Sequence, residues 1–175
     1  MNTSRSLSLF LLTTGVLIAG AALAQRGDDA DRASKNGRTE GEIAGVGVVL
    51  EYGRPNVKGR EIWGGLVPYD QVWRTGADEA TTITLSADAM VEGEPLAAGT
   101  YALFTIPGED EWTVIFNKTA KQWGAFRYDE GEDALRVTVT PASGEHVEAM
   151  DFTIEGDAVV LRWAELRLPV TISAS

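Results

Sequence analysis

Leu96 to Asn117 reads L-A-A-G-T-Y-A-L-F-T-I-P-G-E-D-E-W-T-V-I-F-N, two apolar, β-branched and aromatic runs about a Pro-Gly-acidic connection. That is the pattern of a β-hairpin. Tyr101, Leu103 and Thr105 alternate with Ala102, Phe104 and Ile106; beyond the turn, Trp112, Val114 and Phe116 alternate with Thr113, Ile115 and Asn117. So few polar residues interrupt either run that both strands are expected deep in a sheet, with both faces at least partly covered.

The rest of the chain repeats the two-residue period. Val46, Val48 and Leu50 share one face of a first strand, and Thr81, Ile83 and Leu85 one face of another. Glu92-Gly93-Glu94-Pro95 is a tight connection. Leu135, Val137 and Val139 alternate with Arg136, Thr138 and Thr140, followed by Met150, Phe152 and Ile154, a Gly156-Asp157 turn, and Val159, Leu161 and Trp163. Leu166, Leu168, Val170 and Ile172 close the pattern, with Pro169 marking an edge strand or a bulge. The expectation is an all-β fold: a single β-sandwich of jelly-roll or immunoglobulin-like kind, about eight strands, spanning residues 43–173. Helix is minimal, one turn near Asp70–Trp73 and another near Thr119–Trp123.

The start of the chain is read separately. Arg5, an apolar run from Leu7 to Ala22 and the small-residue site Ala22-Leu23-Ala24 make residues 1–24 a secretory signal peptide. The run is short for a spanning helix, which needs about 20 apolar residues, and Thr13, Thr14 and Gly15 interrupt it. The chain is therefore expected to be exported, periplasmic or secreted, with no stable membrane span after cleavage. Residues 25–42, rich in Asp, Arg, Gly, Ser and Asn without apolar periodicity, read as a disordered polar tether.

Of 175 residues, 15 are basic and 26 acidic, a net charge of −11, and removing Arg5 with the leader makes the balance more acidic. Nucleic acid is excluded as a partner, because binding it requires a basic footprint. There is no cysteine, which removes thiol catalysis and iron–sulfur chemistry. The one histidine, His146, stands in a Ser-Gly-Glu turn and is expected to face solvent; alone it cannot build a usual tetrahedral zinc site. Glu109-Asp110-Glu111 and Asp129 to Asp133 lack the spacing of a calcium loop. No metal and no cofactor is implied.

The segment from Tyr52 to Thr82 does not fit simple strand packing. It is glycine-rich and carries Arg54, Lys58, Arg60 and Arg74 beside Trp63, Tyr69 and Trp73, and a long connection in a compact domain is often functional. Its motifs, G-R-P-N-V-K-G-R and G-G-L-V-P-Y-D-Q-V-W-R-T-G-A-D-E-A-T-T-I, are followed by L-A-A-G-T-Y-A-L-F-T-I-P, E-W-T-V-I-F-N-K and Q-W-G-A-F-R-Y. In order and spacing these resemble the bacterial domain-of-unknown-function family 2911, over roughly residues 51–172. The resemblance implies an exported or envelope-associated bacterial protein and transfers no catalytic residue.

The candidate site residues are Arg54, Arg60, Trp73, Arg74, Glu79, Trp123 and Tyr128. Arg74 would contact an anionic or hydroxylated ligand, Glu79 would accept hydrogen bonds, and Trp73 would supply a stacking face. The plainer reading pairs Arg74 with Glu79 or Asp78 as a loop pin and buries Trp73 in the core. Arg54 and Arg60 read first as loop anchors on backbone carbonyls. Trp123, Phe126 and Tyr128 are a stacking platform if exposed; aromatics in a β-protein are more often core, and burial is the expectation. Three functions stay open: a non-catalytic module binding a small molecule, glycan or protein; a small envelope enzyme using Glu79 and Arg74; and a structural interaction domain. An enzyme would need Glu79 to titrate abnormally high beside a second acid.

Overall fold

The structure, a computed structural model, describes Arg26 and residues 28–175. The signal peptide read at 1–24 lies outside them. Among the described residues the fold is all β, with ten strands: β1 (Lys35–Ile43), β2 (Val46–Arg54), β3 (Thr81–Leu85), β4 (Ala89–Val91), β5 (Glu94–Leu96), β6 (Gly99–Ile106), β7 (Trp112–Asn117), β8 (Asp133–Val139), β9 (Ala142–Glu155) and β10 (Ala158–Ala174). They form two antiparallel sheets, a six-stranded one in the order β1-β2-β3-β6-β7-β8 and a four-stranded one in the order β5-β4-β10-β9.

The two sheets share one core, and the alternation in the sequence decides which side chains enter it. Val46, Val48, Leu50 and Tyr52 of β2, Ile83 and Leu85 of β3, and Leu103, Val114 and Phe116 of the central hairpin meet Phe152, Leu161, Leu168 and Ile172 of the smaller sheet. Tyr52 packs edge-on against Phe152 with ring centroids 4.9 Å apart, and its hydroxyl accepts from the Phe152 backbone N–H. The excursion adds Trp63 and Trp73, which join Trp112 and Trp163. Trp63 meets Trp112 at 4.9 Å and Trp163 at 5.7 Å, edge to face, while Trp73 stacks on Trp163 at 5.9 Å.

The excursion from 55 to 80 is tied down by backbone pairing at spaced points. Asn56 bridges Ala149, Trp73 bridges Thr105, and Glu79 bridges Trp123. The helical turn expected near Asp70–Trp73 is absent: Asp70 sits in a tight turn with φ 58°, and Trp73 and Thr105 then exchange both backbone bonds, at 2.7 and 2.9 Å, which ties Trp73 to β6. No helical turn forms at 119–123 either, and the single 3-10 turn among the described residues is Glu130–Glu132.

Two further expectations change. Lys35–Glu42, read as tether, is most of β1 and pairs along its whole length with β2. Its residues are exposed or half-buried apart from Ile43, so backbone bonds rather than apolar contact define it. Pro169, read as marking an edge strand or a bulge, lies inside β10, which has a neighbour on each side; the irregular register of β10 falls earlier, between Arg162 and Leu166. Pro169 falls between the stretch paired with β9, ending at Arg167, and the stretch paired with β4, starting at Ile172. Its missing N–H is tolerated where the strand changes partners.

The outer face of the six-stranded sheet positions the site. Ala102, Phe104 and Ile115, on the opposite face of the hairpin from Leu103 and Phe116, form a second buried cluster with Ala80, against which Val72, Ala125 and Tyr128 pack. The hairpin is thus covered on both faces, as its unbroken apolar runs require. Burying side chains such as Phe104 and Ile115 contributes about 1.5–3 kcal/mol each, and it clamps residues 119–128 onto the sheet.

Candidate functional site

On this outer face a hollow of ≈ 240 Å³ is lined by Arg26, Glu79, Ala80, Thr82, Ala120, Lys121 and Gln122. Its floor follows from backbone geometry. Thr75 and Asp78 hold positive φ, 52° and 62°, a conformation that costs free energy outside glycine and persists only where the surroundings fix it. Here the Thr81 hydroxyl donates to Thr75 O at 2.6 Å, Gly124 N–H to Asp78 O at 2.9 Å and Ala80 N–H to Gln122 O at 2.9 Å. The 75–80 turn and the 122–124 turn therefore set each other.

Glu79 is fully engaged. Arg32 grips it with both prongs, Nη2 to Oε1 at 2.6 Å and Nη1 to Oε2 at 2.7 Å. Arg26, nearly buried, donates to Glu79 O at 2.9 Å, Ala80 O at 2.8 Å and Ala77 O at 3.4 Å, with Glu79 Oε2 at 3.3 Å. The hydrogen bonds from Arg32 hold the Glu79 carboxyl below its ordinary range, outweighing the upward push of burial. Arg74, expected to pair with Glu79 or Asp78, does neither within ion-pair distance, and its buried Nε has no hydrogen-bond partner. Burial lowers the Arg74 pKa, with Asp78 acting in the opposite direction.

The other sequence candidates separate. Arg54 Nε donates to Met150 O at 3.2 Å, tying the end of β2 to β9, and Arg60 Nε donates to Val57 O at 3.0 Å, bracing its own loop. Trp73 is buried among the tryptophans and offers no face to a ligand. Tyr128 is half-buried on Phe104 at 5.1 Å and donates to Asp133 Oδ2 at 2.6 Å; burial, then that bond, raises its pKa to about 12. Of the seven, only Glu79 lines the hollow, with Trp123 joined to it by backbone pairing.

Trp123 and Phe126 overturn the expectation of burial. Trp123 is 61% exposed and Phe126 89%. Gly124 between them has φ +65°, and a Cβ there would meet the Phe126 ring at 2.9 Å, so the Phe126 ring folds back over the glycine. The inward places on this turn go to Gln122, 9% exposed, and to Ala125 and Tyr128. Gln122 is pinned: its Nε2 donates to Asn117 Oδ1 at 3.1 Å and Thr119 O at 2.7 Å, while its buried Oε1 has no partner. Both nitrogen partners are acceptors, which fixes which end of the amide is oxygen.

Residue types alone give no sign of Gln122, Arg26 or Arg32. Gln122 lies beside the Q-W-G-A-F-R-Y motif, and the two arginines sit in the polar stretch before β1. No group of three or more His, Cys, Asp or Glu that could hold a metal occurs among the described residues. Among the same residues no helix is long and apolar enough to cross a membrane.

Fold and site define a two-sheet all-β domain carrying a rigid aromatic turn and a small polar hollow on one outer face. The chain belongs to the family described as "Protein of unknown function (DUF2911)", whose family model matches residues 34–172. No curated protein and no solved structure matches it.

Proposed function

We propose that this chain is an exported, non-catalytic β-sandwich module that binds a small molecule, glycan or protein, with residues 118–128 and the adjoining hollow as its binding face. The observation that carries this reading is the pair Trp123 and Phe126, large aromatics presented to solvent by a turn that is otherwise clamped to the sheet. Exposed aromatics held rigidly bind partners at low entropic cost. Export is supported by the signal-peptide pattern of residues 1–24.

Carboxylate–arginine catalysis at Glu79 is not supported. An acid poised for proton transfer is held up near neutrality, whereas Glu79 is pulled down and occupied by two arginines. The purely structural reading leaves Trp123 and Phe126 without a role.

The test is a screen of small molecules and glycans against the full chain, read by tryptophan fluorescence and by NMR shifts of residues 118–128. Saturable binding that Trp123→Ala removes, with the melting temperature within about 1–2 °C of the parent, is expected for a surface substitution. A large drop in melting temperature in both Trp123→Ala and Phe126→Ala would make the pair structural and defeat the reading. The recovered mature chain should begin at Gln25 by mass spectrometry.

A further inference from the structure

We infer that the turn of residues 118–128 seats this protein on an anionic lipid surface, with Trp123 and Phe126 in the headgroup layer and Lys118, Lys121 and Arg127 toward the lipid phosphates. The inference rests on the reading of this stretch as a docking face and names a partner for it. Neither aromatic lines the hollow, which stays open to a soluble ligand.

Shape is the first observation. Backbone bonds fix the turn: Ala80 N–H to Gln122 O at 2.9 Å, Gly124 N–H to Asp78 O at 2.9 Å and Tyr128 N–H to Ala125 O at 3.2 Å. Gln122, Ala125 and Tyr128 take the inward places, and Trp123 and Phe126 stand outward, 61% and 89% exposed. The Phe126 ring lies over Gly124, the residue after Trp123, so the two aromatics are neighbours on one projection. A small molecule is held in a concave site. A projecting aromatic pair instead finds apolar surroundings in a medium that deforms around it. Tryptophan favours the membrane–water interface, where its ring is covered and its indole N–H stays wet.

Charge selects the kind of lipid. From Lys118 to Tyr128 the chain reads K-T-A-K-Q-W-G-A-F-R-Y, three cations and no acid, in a protein of net charge −11. Lys118, Lys121 and Arg127 are exposed, and among the described residues their side chains have no ion-pair or hydrogen-bond partner. The acids that adjoin the turn, in sequence or across the Gly124 bond, are mostly engaged. Arg32 holds Asp78, Arg26 and Arg32 hold Glu79, and Arg136 holds Glu130 and Asp133. Asp129 accepts from Gly131 N–H, and Glu132 has no ion pair among the described residues.

Distance settles the contest with the acidic remainder. Salt at physiological strength screens charges beyond about 8 Å, so cations on the projection act on a leaflet while acids elsewhere are damped. Each basic residue near an anionic leaflet strengthens binding about fivefold. Apolar insertion and charge attraction act together here, which is the combination that peripheral attachment uses.

The experiment sediments the exported chain with vesicles of phosphatidylglycerol and phosphatidylcholine in equal parts, and with phosphatidylcholine alone. Binding to the anionic vesicles is expected, much reduced on phosphatidylcholine and reduced by added salt. The other four tryptophans meet one another in the core, so quenching by lipids brominated in their acyl chains reports Trp123. Trp123→Phe should keep the binding and lose the quenching. Trp123→Ala and Phe126→Ala should each weaken binding roughly tenfold, and Lys121→Gln combined with Arg127→Gln about twenty-five-fold. All four side chains are exposed, so the variants should melt with the parent and the losses be binding losses. Equal binding to phosphatidylcholine would overturn the anionic class. Sedimentation without quenching of Trp123, persisting when Trp123→Ala and Phe126→Ala are combined, would overturn the inference by placing the contact elsewhere in the chain. No sedimentation with anionic vesicles would overturn it too; a soluble ligand lost in Trp123→Ala would then leave the binding face standing.

Discussion

Arg32 and Glu79 meet in a two-pronged ion pair, 2.6 and 2.7 Å, joining the segment before β1 to the turn that floors the hollow. Because Arg32 lowers the Glu79 pKa, the carboxylate is favoured more in the folded than in the unfolded chain. The stability it contributes is therefore present above the unfolded value, about 4.3, and is lost as pH falls through the folded one. Arg32→Ala should melt below the parent at neutral pH, and the gap should close as pH falls below about 4. Melting curves of both proteins from pH 3 to 7 check this; a gap that does not depend on pH would mean Arg32 acts through packing alone.

Gly53 in β2 lies beneath the same turn. A Cβ built there would sit 2.3 Å from Ala77 O and 3.2 Å from Ala77 Cβ, and the obstacle is backbone, which cannot rotate aside. Gly53→Ala should therefore displace the 75–80 turn and destabilise by about 1–3 kcal/mol. Gly45→Ala is a useful contrast: no atom lies within 4 Å of its added Cβ, and only its φ of +83° resists the change. Denaturant unfolding of the two, with hydrogen exchange at Ala80 and Gly124, separates a local displacement from general loss.

How much of this was legible in the sequence depends on what each residue contacts. Leu103 and Phe104 point to opposite faces of β6, both covered, and their unbroken apolar run announced it. Lys35–Glu42 carried no such signal because β1 is held by backbone bonds to β2 and keeps its polar side chains in solvent. Arg32 and Glu79 are 47 residues apart, a separation no local spacing rule covers. Trp73 and Trp123 are the same residue type with opposite fates: one pairs with β6 under the tryptophan cluster, the other crowns a turn whose inward places go to Gln122 and Tyr128. Composition cannot tell them apart. Arg54 and Arg60 both donate to backbone carbonyls, as the plainer reading of them had it, though Arg54 joins two strands rather than a loop, whereas the expected pairing of Arg74 with Glu79 fails because two arginines from before β1 already hold that carboxylate.

That contrast between tryptophans gives a third prediction. Trp73 touches Trp63, Trp112 and Trp163, so Trp73→Ala leaves a large cavity and should cost about 3–5 kcal/mol. Trp123→Ala removes a side chain with little burial and should cost under about 0.5 kcal/mol. Acrylamide quenching provides an independent check, since Trp123 should be the tryptophan quenched most readily and Trp123→Phe should remove the accessible component. Similar losses of stability in the two alanine variants would contradict the assignment of one to the core and the other to a binding face.

The last prediction concerns the other sheet. His146 on β9 lies 2.7 Å from Glu165 on β10 through Nδ1 and 3.5 Å from Glu148 through Nε2, beside the irregular register around Ala164. The hydrogen bond to Glu165 raises the His146 pKa; desolvation opposes it, and the contact with Glu148 adds to the rise. A raised folded value means the stabilising contribution is complete below the unfolded value, about 6.5, and is lost as pH rises through the folded one. Glu165→Gln should therefore lower the melting temperature near pH 5.5 and have little effect near pH 8.5. NMR titration of the His146 ring should show the raised pKa in the parent and a value closer to about 6.5 in the variant. The contact is exposed and screened by salt, so the difference at pH 5.5 should shrink as ionic strength rises. An unchanged titration in Glu165→Gln would assign the raised pKa to Glu148, and Glu148→Gln would then be the variant that restores the ordinary value.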